Sequence, residues 1–267
     1  MCYICVMIML INRLWGVVMN NIRQEKMKEF IENNNVVTSR QLQELFPTVS
    51  LMTIHRDLDA LVEGGDIVKF RGGAKSVHHA GDPEFNVRVR ENNAGKLVIA
   101  RKALELIQPN SSVFLDASTT NLALVRSLPD INLNIFTTGP SIALELCRLQ
   151  NPTVTLCCGT INRKNLAVSG QNTLEMLDKI NIDLAFIGVS GCSVDAGFTC
   201  GTEGDMLVKR LVIKKARRSV VMCTRQKLSC LMPYTFAKLE DVDYLIGDEP
   251  MPESFVQAAE KAGVTLL

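Results

Sequence analysis

Apolar residues recur at helical spacing between Met19 and Val62, with charged residues between them. Three such stripes are present: Met27, Phe30 and Ile31; Leu42, Leu45 and Phe46; and Ile54, Leu58, Leu61 and Val62. Spacings of three and four residues place each stripe on one face of a helix, so the pattern predicts three short helices. Thr38 or Ser39 is expected to cap the second helix and Ser50 the third, because hydroxyl oxygens accept hydrogen bonds from the N–H groups of a first turn.

A strand-like segment follows the third predicted helix. Gly64 and Gly65 are expected to end that helix, and residues 67–70 then alternate like a short strand before the turn at 71–73. Three short helices followed by a β-ribbon predict a winged helix-turn-helix. Burial of the third stripe turns the opposite face of its helix outward. The outward residues are Met52, Arg56 and Asp59, and the flanking ones are Thr53 and His55.

Beyond residue 92 apolar runs alternate with helical stretches. The strand-like runs are 113–116, 133–137, 154–158, 183–188, 219–223 and 243–246. The helical stretches include 94–107, 141–149, 173–180, 205–216 and 253–262. This alternation predicts a Rossmann-like, mainly parallel sheet covered by helices on both faces. We therefore expect an α/β chain with a hydrophobic extension at 1–18, a winged helix-turn-helix at 19–75, a polar linker at 76–92 and the sheet domain at 93–267.

The extension, MCYICVMIMLINRLWGVV, resembles neither a secretory signal nor a membrane span. No basic residue precedes the apolar run and no small-residue cleavage site follows it. The run is also short for a span, and Arg13 interrupts it. Met19 begins a sequence that reads as a natural start, so we expect a misassigned start or a loose extension, with a membrane tether as the alternative.

Composition limits what the chain binds. A net charge of +1 over 267 residues excludes a broadly basic surface, so any contact with nucleic acid must be local. Nine cysteines, an odd number and mostly in apolar runs, are typical of buried thiols in a reducing compartment. The only CxxC pair, Cys2 and Cys5, has no second pair and no histidine at ligand spacing. The sequence therefore predicts no metal, no cofactor and a cytoplasmic location.

The winged helix-turn-helix carries candidate contacts to double-stranded DNA. An outward arginine on a recognition helix pairs with guanine edges in the major groove, and the cations of a wing reach backbone phosphates or the minor groove. The candidate residues are Ser50, Thr53, His55, Arg56, Lys69, Arg71 and Lys75. The alternative is that Arg56 and Asp57 are solvated helix charges and that the ribbon is a plain hairpin.

The sheet domain carries a candidate anion site. Asp116 is followed by Ala117, Ser118, Thr119 and Thr120 between a predicted strand and a helix, where free N–H groups and hydroxyls favour a phosphate. The alternative is that Ser118 and Thr119 only cap the helix. Other polar or glycine-rich segments also follow strand-like runs, and these ends converge on one crevice in a parallel sheet. The candidate ligand-binding residues are Asp116, Ser118, Thr119, Thr120, Thr137, Thr138, Gly159, Gly188 and Lys227.

The segment from Val36 to Ala74, with TIHRDL followed by RGGA, resembles the signature of DeoR-type bacterial transcriptional regulators, in which TIRRDL precedes a GGA wing. His55 stands where that pattern has arginine, which alters one expected DNA contact. Residues 85–267 resemble the effector domain of the same family, which is similar to ribose-5-phosphate isomerase. Matched positions include Phe85, Arg88, Lys96, Asp116, Thr119, Thr120, Thr137, Gly159, Gly170, Asp183, Gly188, Gly197 and Lys227.

The resemblance implies a regulator, in the first place a repressor of carbohydrate-metabolism genes, that a phosphorylated sugar releases from its operator. It implies that Asp116 accepts sugar hydroxyls, that residues 118–120 hold the phosphate and that Lys227 approaches an anionic or carbonyl end. It also implies a homodimer or homotetramer. The family's D-x-S-K reads Thr224-Arg225-Gln226-Lys227 here, so the lost carboxylate and added cation indicate either an altered, more anionic ligand or weakened sensing.

An enzyme is the main alternative. Aldose–ketose isomerisation needs a general base between adjacent carbons. The isomerases carry D-G-A-D-E after the strand that corresponds to residues 183–188, and this chain reads Ile187-Gly188-Val189-Ser190-Gly191 there. Because every carboxylate of that motif is missing, we expect that the chain is not an enzyme. A sugar-phosphate isomerase-like enzyme and a membrane-tethered regulator remain the alternatives.

Overall fold

The computed structural model describes residues 21–34, 36–64, 66–70, 72–76, 84–228 and 230–267. The hydrophobic extension at 1–18 and the wing residue Arg71 lie outside these ranges. The chain divides into two compact units between Gly81 and Asp82. Within the described ranges, no helix combines the length and the apolar character needed to cross a bilayer.

The first unit is a winged helix-turn-helix, as predicted. Its helices are α1 (21–34), α2 (Ser39–Leu45) and α3 (Leu51–Glu63). Its strands are β1 (Val36–Thr38), β2 (Ile67–Phe70) and β3 (Gly73–Ser76), which pair antiparallel in the order β1-β3-β2. The strand β1 is absent from the predicted pattern, because three residues are too few to show an alternation.

The predicted stripes form the core of this unit with two exceptions. The residues that are fully or nearly buried include Met27, Ile31, Leu42, Ile54, Leu58 and Leu61. Leu45 and Val62 are each 40% exposed, so their assignment to the core was wrong. Both lie in the last turn of a helix. The helical spacing continues there, but no neighbouring element buries the side chain.

Both predicted caps of this unit are present. The Thr38 hydroxyl accepts a hydrogen bond from the N–H of Gln41, whose side chain accepts one from the N–H of Thr38, which completes a capping box. The Ser50 hydroxyl accepts a hydrogen bond from the N–H of Thr53 at 3.2 Å. The wing strand β3 lies so close to β1 that a Cβ at Gly73 would be 2.1 Å from the carbonyl oxygen of Val37. Only glycine fits this approach.

The second unit is built on a parallel sheet of seven strands. These strands are β4 (Ser112–Leu115), β5 (Asn134–Thr137), β6 (Thr153–Leu156), β9 (Ile182–Gly188), β12 (Ala216–Cys223), β14 (Tyr244–Gly247) and β15 (Thr265–Leu266). Their order is β15-β14-β12-β9-β4-β5-β6, and every pairing is parallel. The predicted Rossmann-like arrangement is therefore confirmed.

Helices cover both faces of the large sheet. One hydrophobic core contains residues of α5 (Asn93–Leu104), α6 (Thr119–Arg126) and α7 (Pro140–Leu146). The other contains residues of α8 (Gln171–Asp178), α9 (Glu203–Lys215) and α10 (Glu253–Ala262).

Two small antiparallel sheets, which the sequence pattern did not predict, complete the unit. They are the hairpin of β7 (Thr160–Ile161) with β8 (Val168–Ser169), and the order β10 (Gly191–Ser193), β11 (Gly197–Cys200), β13 (Tyr234–Ala237).

The second half of the predicted linker is helical. Residues Phe85–Arg90 form α4, and the Phe85 ring is buried in the core of the second unit. The N–H of Phe85 donates to the carbonyl oxygen of Lys164 at 2.9 Å. A six-residue helix with one buried aromatic ring is too short to give a readable period, which explains why the segment read as a linker. The predicted domain boundaries stay a prediction.

Candidate functional site

The recognition helix α3 presents the predicted face to solvent. Met52 is 73% exposed, and Arg56 is exposed as well. Within the described residues no ion pair involves Arg56, so its guanidinium is free to contact another molecule. Thr53 and His55 are half-buried on the flanks, as their helical positions require. Ser50, also a predicted DNA contact, caps the helix through its hydroxyl.

Asp57 is not a solvated helix charge, so that part of the alternative was wrong. Its carboxylate is buried and accepts hydrogen bonds from the Arg23 guanidinium at 2.5 and 3.1 Å and from the Gln24 amide at 3.1 Å. The hydrogen bond to Asp57 raises the pKa of Arg23, against the opposing effect of burial. The pair joins α1 to α3 within the first unit.

The structure describes two of the three predicted wing cations, Lys69 and Lys75. The ammonium of Lys69 lies 2.7 Å from the Asp59 carboxylate, on the outward face of α3. Exposed pairs of this kind contribute about 0–1 kcal/mol, so a phosphate can displace Asp59 at small cost. Lys75 lies in β3, and Arg71 falls outside the described residues.

The crevice of the second unit lies where the strand order reverses. From β4 the chain proceeds through β5 to β6 in one direction, and it returns to β9 on the other side of β4. Ligands of open α/β sheets bind at such a switch point, outside the carboxyl ends of the strands. Asp116 follows β4 and Gly188 ends β9, so both predicted residues lie at this point.

Asp116 is buried, and its carboxylate is surrounded by donors. One oxygen accepts hydrogen bonds from the N–H of Ser118 at 3.0 Å and from the amide of Asn121 at 2.8 Å. The other accepts a hydrogen bond from the N–H of Gly188 at 2.9 Å and lies 3.3 Å from the Lys209 ammonium. The carboxylate therefore holds the end of β9 against the first turn of α6, and in this conformation it offers little capacity to a sugar hydroxyl.

Lys209 is the central cation of this network. It is 4% exposed, lies 2.9 Å from the Asp205 carboxylate and donates to the carbonyl oxygen of Gly188 at 2.8 Å. Burial alone lowers the pKa of Lys209, but attraction to Asp205 and Asp116 outweighs burial and raises it. The lysine therefore stays charged, and its ammonium also lies 5.1 Å from the centre of the Phe236 ring.

Two small cavities open at the crevice. One encloses about 20 Å³ and is lined by the Asp116–Lys209–Asp205 network. The other encloses about 30 Å³ and is lined by a cationic set with the first turn of α6: Lys96, Ser118, Thr119, Thr120 and Lys227. Arg88 of α4 lines both cavities. Both cavities are partly open to solvent, and the inner space of each holds about one water molecule.

Lys96 ties α4 to the crevice. Its ammonium donates to the main-chain carbonyl oxygens of Arg88 and, at 2.7 Å, of Glu91, at the end of α4. Burial lowers the pKa of Lys96 to about 8; the Glu91 carboxylate opposes this change, and the nearby Lys227 and Arg88 charges add to it. The same ammonium thus serves the helix end and faces the cavity.

Not all predicted ligand residues meet at the crevice. Asp116, residues 118–120, Gly188 and Lys227 line the cavities, whereas three predicted residues do not: Thr137, Thr138 and Gly159. The buried hydroxyl of Thr137 donates to the carbonyl oxygen of Leu115 at 2.7 Å and so serves the loop itself. Thr138 is buried, and its carbonyl oxygen accepts from the N–H of Val168. A Cβ at Gly159 would lie 2.3 Å from the Thr173 hydroxyl, so this glycine permits a close packing contact.

Besides Arg88, four polar residues that line the cavity beside Asp116 were not among the predicted ligand residues: Asn165, Ser190, Asp205 and Lys209. The spacing of Asp205 and Lys209, i and i+4 near the start of a predicted helix, was the one available signal. Such a pair more often lies on a solvated face, and nothing in the sequence indicated that it is buried. Within the described ranges no cluster of three or more potential ligands could hold a metal ion.

A winged helix-turn-helix with an outward arginine, followed by a parallel sheet with a polar crevice, defines a DNA-binding transcriptional regulator. Residues 23–80 match the DeoR-like helix-turn-helix domain, and residues 91–249 match the DeoR C-terminal sensor domain. The chain belongs to the DeoR family of transcriptional regulators. The predicted family is therefore confirmed.

Characterised relatives align with nearly the whole chain. The transcriptional regulator GolR of Listeria innocua is 30% identical over 91% of this chain and 96% of its own. The transcriptional repressor GlcR of Bacillus subtilis is 31% identical over 90% of this chain and 92% of its own. The L-fucose operon activator of Escherichia coli is 30% identical over 85% and 94%. These relatives are regulators, which confirms that the chain is not an enzyme.

Solved structures align over about half of the chain. A ribose 5-phosphate isomerase A of Methanocaldococcus jannaschii covers 52% of this chain and 55% of its own, with 18% identity and a TM-score of 0.38. This overlap is too limited to support an inference about the crevice.

Proposed function

We propose that the chain represses carbohydrate-metabolism genes and that a phosphorylated sugar releases it from its operator. The recognition helix α3 reads the major groove of duplex DNA through Arg56, with Thr53 and His55 beside it, and the wing contacts the backbone. The regulator acts in the cytoplasm as a homodimer or homotetramer, because paired half-sites on DNA suit a symmetric protein.

The observation that carries the effector proposal is the grouping of charge at the second cavity. Lys96 and Lys227 lie there with the N-terminal turn of α6, whose N–H groups and Thr119 and Thr120 hydroxyls suit an anion. Among the described residues of this lining, Glu91 is the one acidic side chain. A phosphate fits this chemistry, and the polar groups of the neighbouring cavity suit the hydroxyls of the sugar.

Binding and release are coupled through α4 in this proposal. Arg88 lines both cavities, so a sugar phosphate that spans them contacts or displaces its side chain. A phosphate also competes with the carbonyl oxygens at the end of α4 for the Lys96 ammonium. Since α4 is the first helix after the segment that leads from the DNA-binding unit, its displacement alters the positions available to the two recognition helices of a dimer.

The experiment combines a melting screen with operator binding. A panel of sugar phosphates and their unphosphorylated parents is added to the purified chain, because a ligand that binds only the native form raises the melting temperature. Compounds that raise it are then tested for release of an operator selected from random duplex DNA. We expect hits only among phosphorylated compounds. Stabilisation by a parent sugar alone would refute the phosphate assignment.

The Arg56→Ala variant is the matched control. It should keep the melting response to the effector while losing operator discrimination, because Arg56 lies in the first unit and the crevice in the second. Loss of the melting response in this variant would contradict the division of labour between the two units.

A further inference from the structure

Asp248 lies directly after β14, at the same end of the large sheet as the crevice. The strand β14 pairs in parallel with β12, and β12 leads into the one-turn 3-10 helix Arg225–Lys227. One carboxylate oxygen of the half-buried Asp248 accepts a hydrogen bond from the main-chain N–H of Arg225 at 2.7 Å. Asp248 therefore holds the first residue of the turn that carries Lys227.

The second carboxylate oxygen of Asp248 holds the start of α5. It accepts a hydrogen bond from the side-chain amide of Asn92 at 2.9 Å. Asn92 is the N-cap of α5, and its side-chain oxygen accepts a hydrogen bond from the N–H of Gly95. The carboxylate lies so close to this turn that a Cβ at Gly95 would be 2.2 Å from it. One carboxylate thus joins the turn that carries Lys227 to the helix start that carries Lys96.

The side chain of Arg225 adds a second attachment of the same turn. Its guanidinium donates to the carbonyl oxygen of Pro250 at 3.2 Å and lies 3.8 Å from the Glu249 carboxylate. The described lining of the second cavity includes residues 224, 226 and 227 of this segment but not Arg225. The added cation of the T-R-Q-K segment is therefore directed to the residues after β14 and not to the cavity.

The two segments that Asp248 joins carry like charges. Lys96, Lys227 and Arg88 line the same cavity. Burial lowers the pKa of Lys96 to about 8, and the charges of Lys227 and Arg88 lower it as well, which reports their mutual repulsion. This repulsion favours separation of the two segments when no anion is present. Asp248 opposes the separation from outside, since it is not among the described residues that line either cavity.

We propose that Asp248 is a positioning residue of the effector site and sets the separation of Lys96 and Lys227 so that one phosphate contacts both. Two cations that are already held at this separation bind an anion more tightly than two that have to be brought together, because less conformational freedom is lost on binding. The inference rests on the proposed function and adds a residue that lies outside the cavity.

The first test titrates the full chain with inorganic phosphate in a calorimeter. Loss of a negative charge near an anion site should by itself strengthen phosphate binding, whereas loss of positioning should weaken it. We expect Asp248→Asn to bind phosphate about tenfold more weakly, a typical size for coupling within one hydrogen-bond network. Glu249→Gln is the matched control, because it removes the same charge from the neighbouring residue. It should bind phosphate at least as tightly as the unchanged chain.

The second test exchanges the two side chains. In Asp248→Asn an amide faces the amide of Asn92, so two donors meet and the bond to α5 is lost. The double variant Asn92→Asp/Asp248→Asn restores a donor and an acceptor without a change in net charge. Aspartate also tolerates the left-handed conformation of position 92, where φ is 42°. We expect the double variant to recover most of the lost phosphate affinity, which a purely structural role would not explain.

A third variant, Gly95→Ala, displaces the Asp248 carboxylate without altering any charge and does not depend on the stability of Asp248→Asn. It should weaken phosphate binding as well. Equal or tighter binding in Asp248→Asn or in Gly95→Ala would overturn the positioning role and leave the proposed effector site intact. A double variant that recovers no affinity would overturn the bond between positions 92 and 248 as the basis of that role. An unchanged chain that binds no phosphate would overturn the proposed effector site and this inference with it.

Discussion

The main-chain N–H of Gly188 donates a 2.9 Å hydrogen bond to the carboxylate of Asp116, a residue 72 positions earlier in the sequence. This bond joins the end of β9 to the loop after β4 at the switch point of the sheet. A Cβ at Gly188 would lie 2.4 Å from the Ser118 Cβ, so the bond forms only because the position is glycine. The crevice is therefore shaped by the protein's own hydrogen bonds before any ligand enters.

We expect Asp116→Asn to reduce both stability and the effector response. The substitution removes one of the two carboxylates that neutralise the buried Lys209. Breaking a buried ion pair costs about 3–5 kcal/mol, and the remaining Asp205 should keep the loss near the lower value. Urea unfolding followed by circular dichroism measures the change in the free energy of unfolding.

Operator binding below the melting temperature decides the role of Asp116. If Asp116 acts only on the crevice, operator binding should persist while release by the effector is lost. Unchanged stability together with normal release would show that the Asp116 network is dispensable.

We expect Arg56→Ala to lower operator discrimination by about 1–3 kcal/mol, the value of a bidentate contact to guanine. Its effect on the free energy of unfolding should stay within about 0.5 kcal/mol, because the side chain is exposed and unpaired in the described residues. Arg40→Ala is the matched control, since Arg40 of α2 is also exposed and pairs with Glu44 of the same helix. An equal loss of discrimination in both variants would argue against base readout by Arg56.

Effector binding should weaken as the pH rises through about 8, the pKa of Lys96. The charged ammonium attracts phosphate below this pH, and the neutral amine does not above it. The pKa of Lys96 is lowered from 10.5, so the unfolded chain binds more protons between these values. Raising the pH through this window therefore removes a destabilising contribution of Lys96, so the titration of this residue does not itself unfold the chain. Calorimetric titrations at several pH values check the effect, and Lys96→Met should remove it.

We expect Phe85→Ala to separate binding from release. The buried Phe85 ring anchors α4 to the core, and its loss frees the helix whose Arg88 lines both cavities. Truncation of a buried phenylalanine costs about 3–5 kcal/mol. Titration calorimetry should show tighter effector binding, whereas the effector should release less operator. Weaker binding would indicate that α4 contributes contacts to the ligand rather than obstructing it.

The sequence predicted the elements better than it predicted the partners of charged residues. The stripes on α1 to α3 and the alternation beyond residue 92 reflect burial of apolar surface, which is periodic and therefore visible in sequence. Asp57 and Lys209 are buried charges whose partners Arg23 and Asp116 lie far away along the chain. No local pattern reports such a pairing, because only the folded chain brings the groups together.

The position of the candidate crevice could be predicted, but not its complete lining. The rule that ligands bind at carboxyl ends of parallel strands located residues 116–120, Gly188 and Lys227. It also selected Thr137, which ends β5, and Gly159, which follows β6; these two residues serve loop geometry instead. The rule gives the end of the sheet and not the direction in which each side chain points.

The attachment of Lys96 to the end of α4 has a quantitative consequence for any inducer. If only a small fraction of molecules holds the helix away from the pocket, the measured dissociation constant exceeds the intrinsic one by the reciprocal of that fraction. A modest measured affinity is therefore compatible with tight intrinsic binding of the effector to the conformation in which α4 is displaced. Substitutions in α4 that make no contact with the effector would then shift the effector concentration to which the regulator responds.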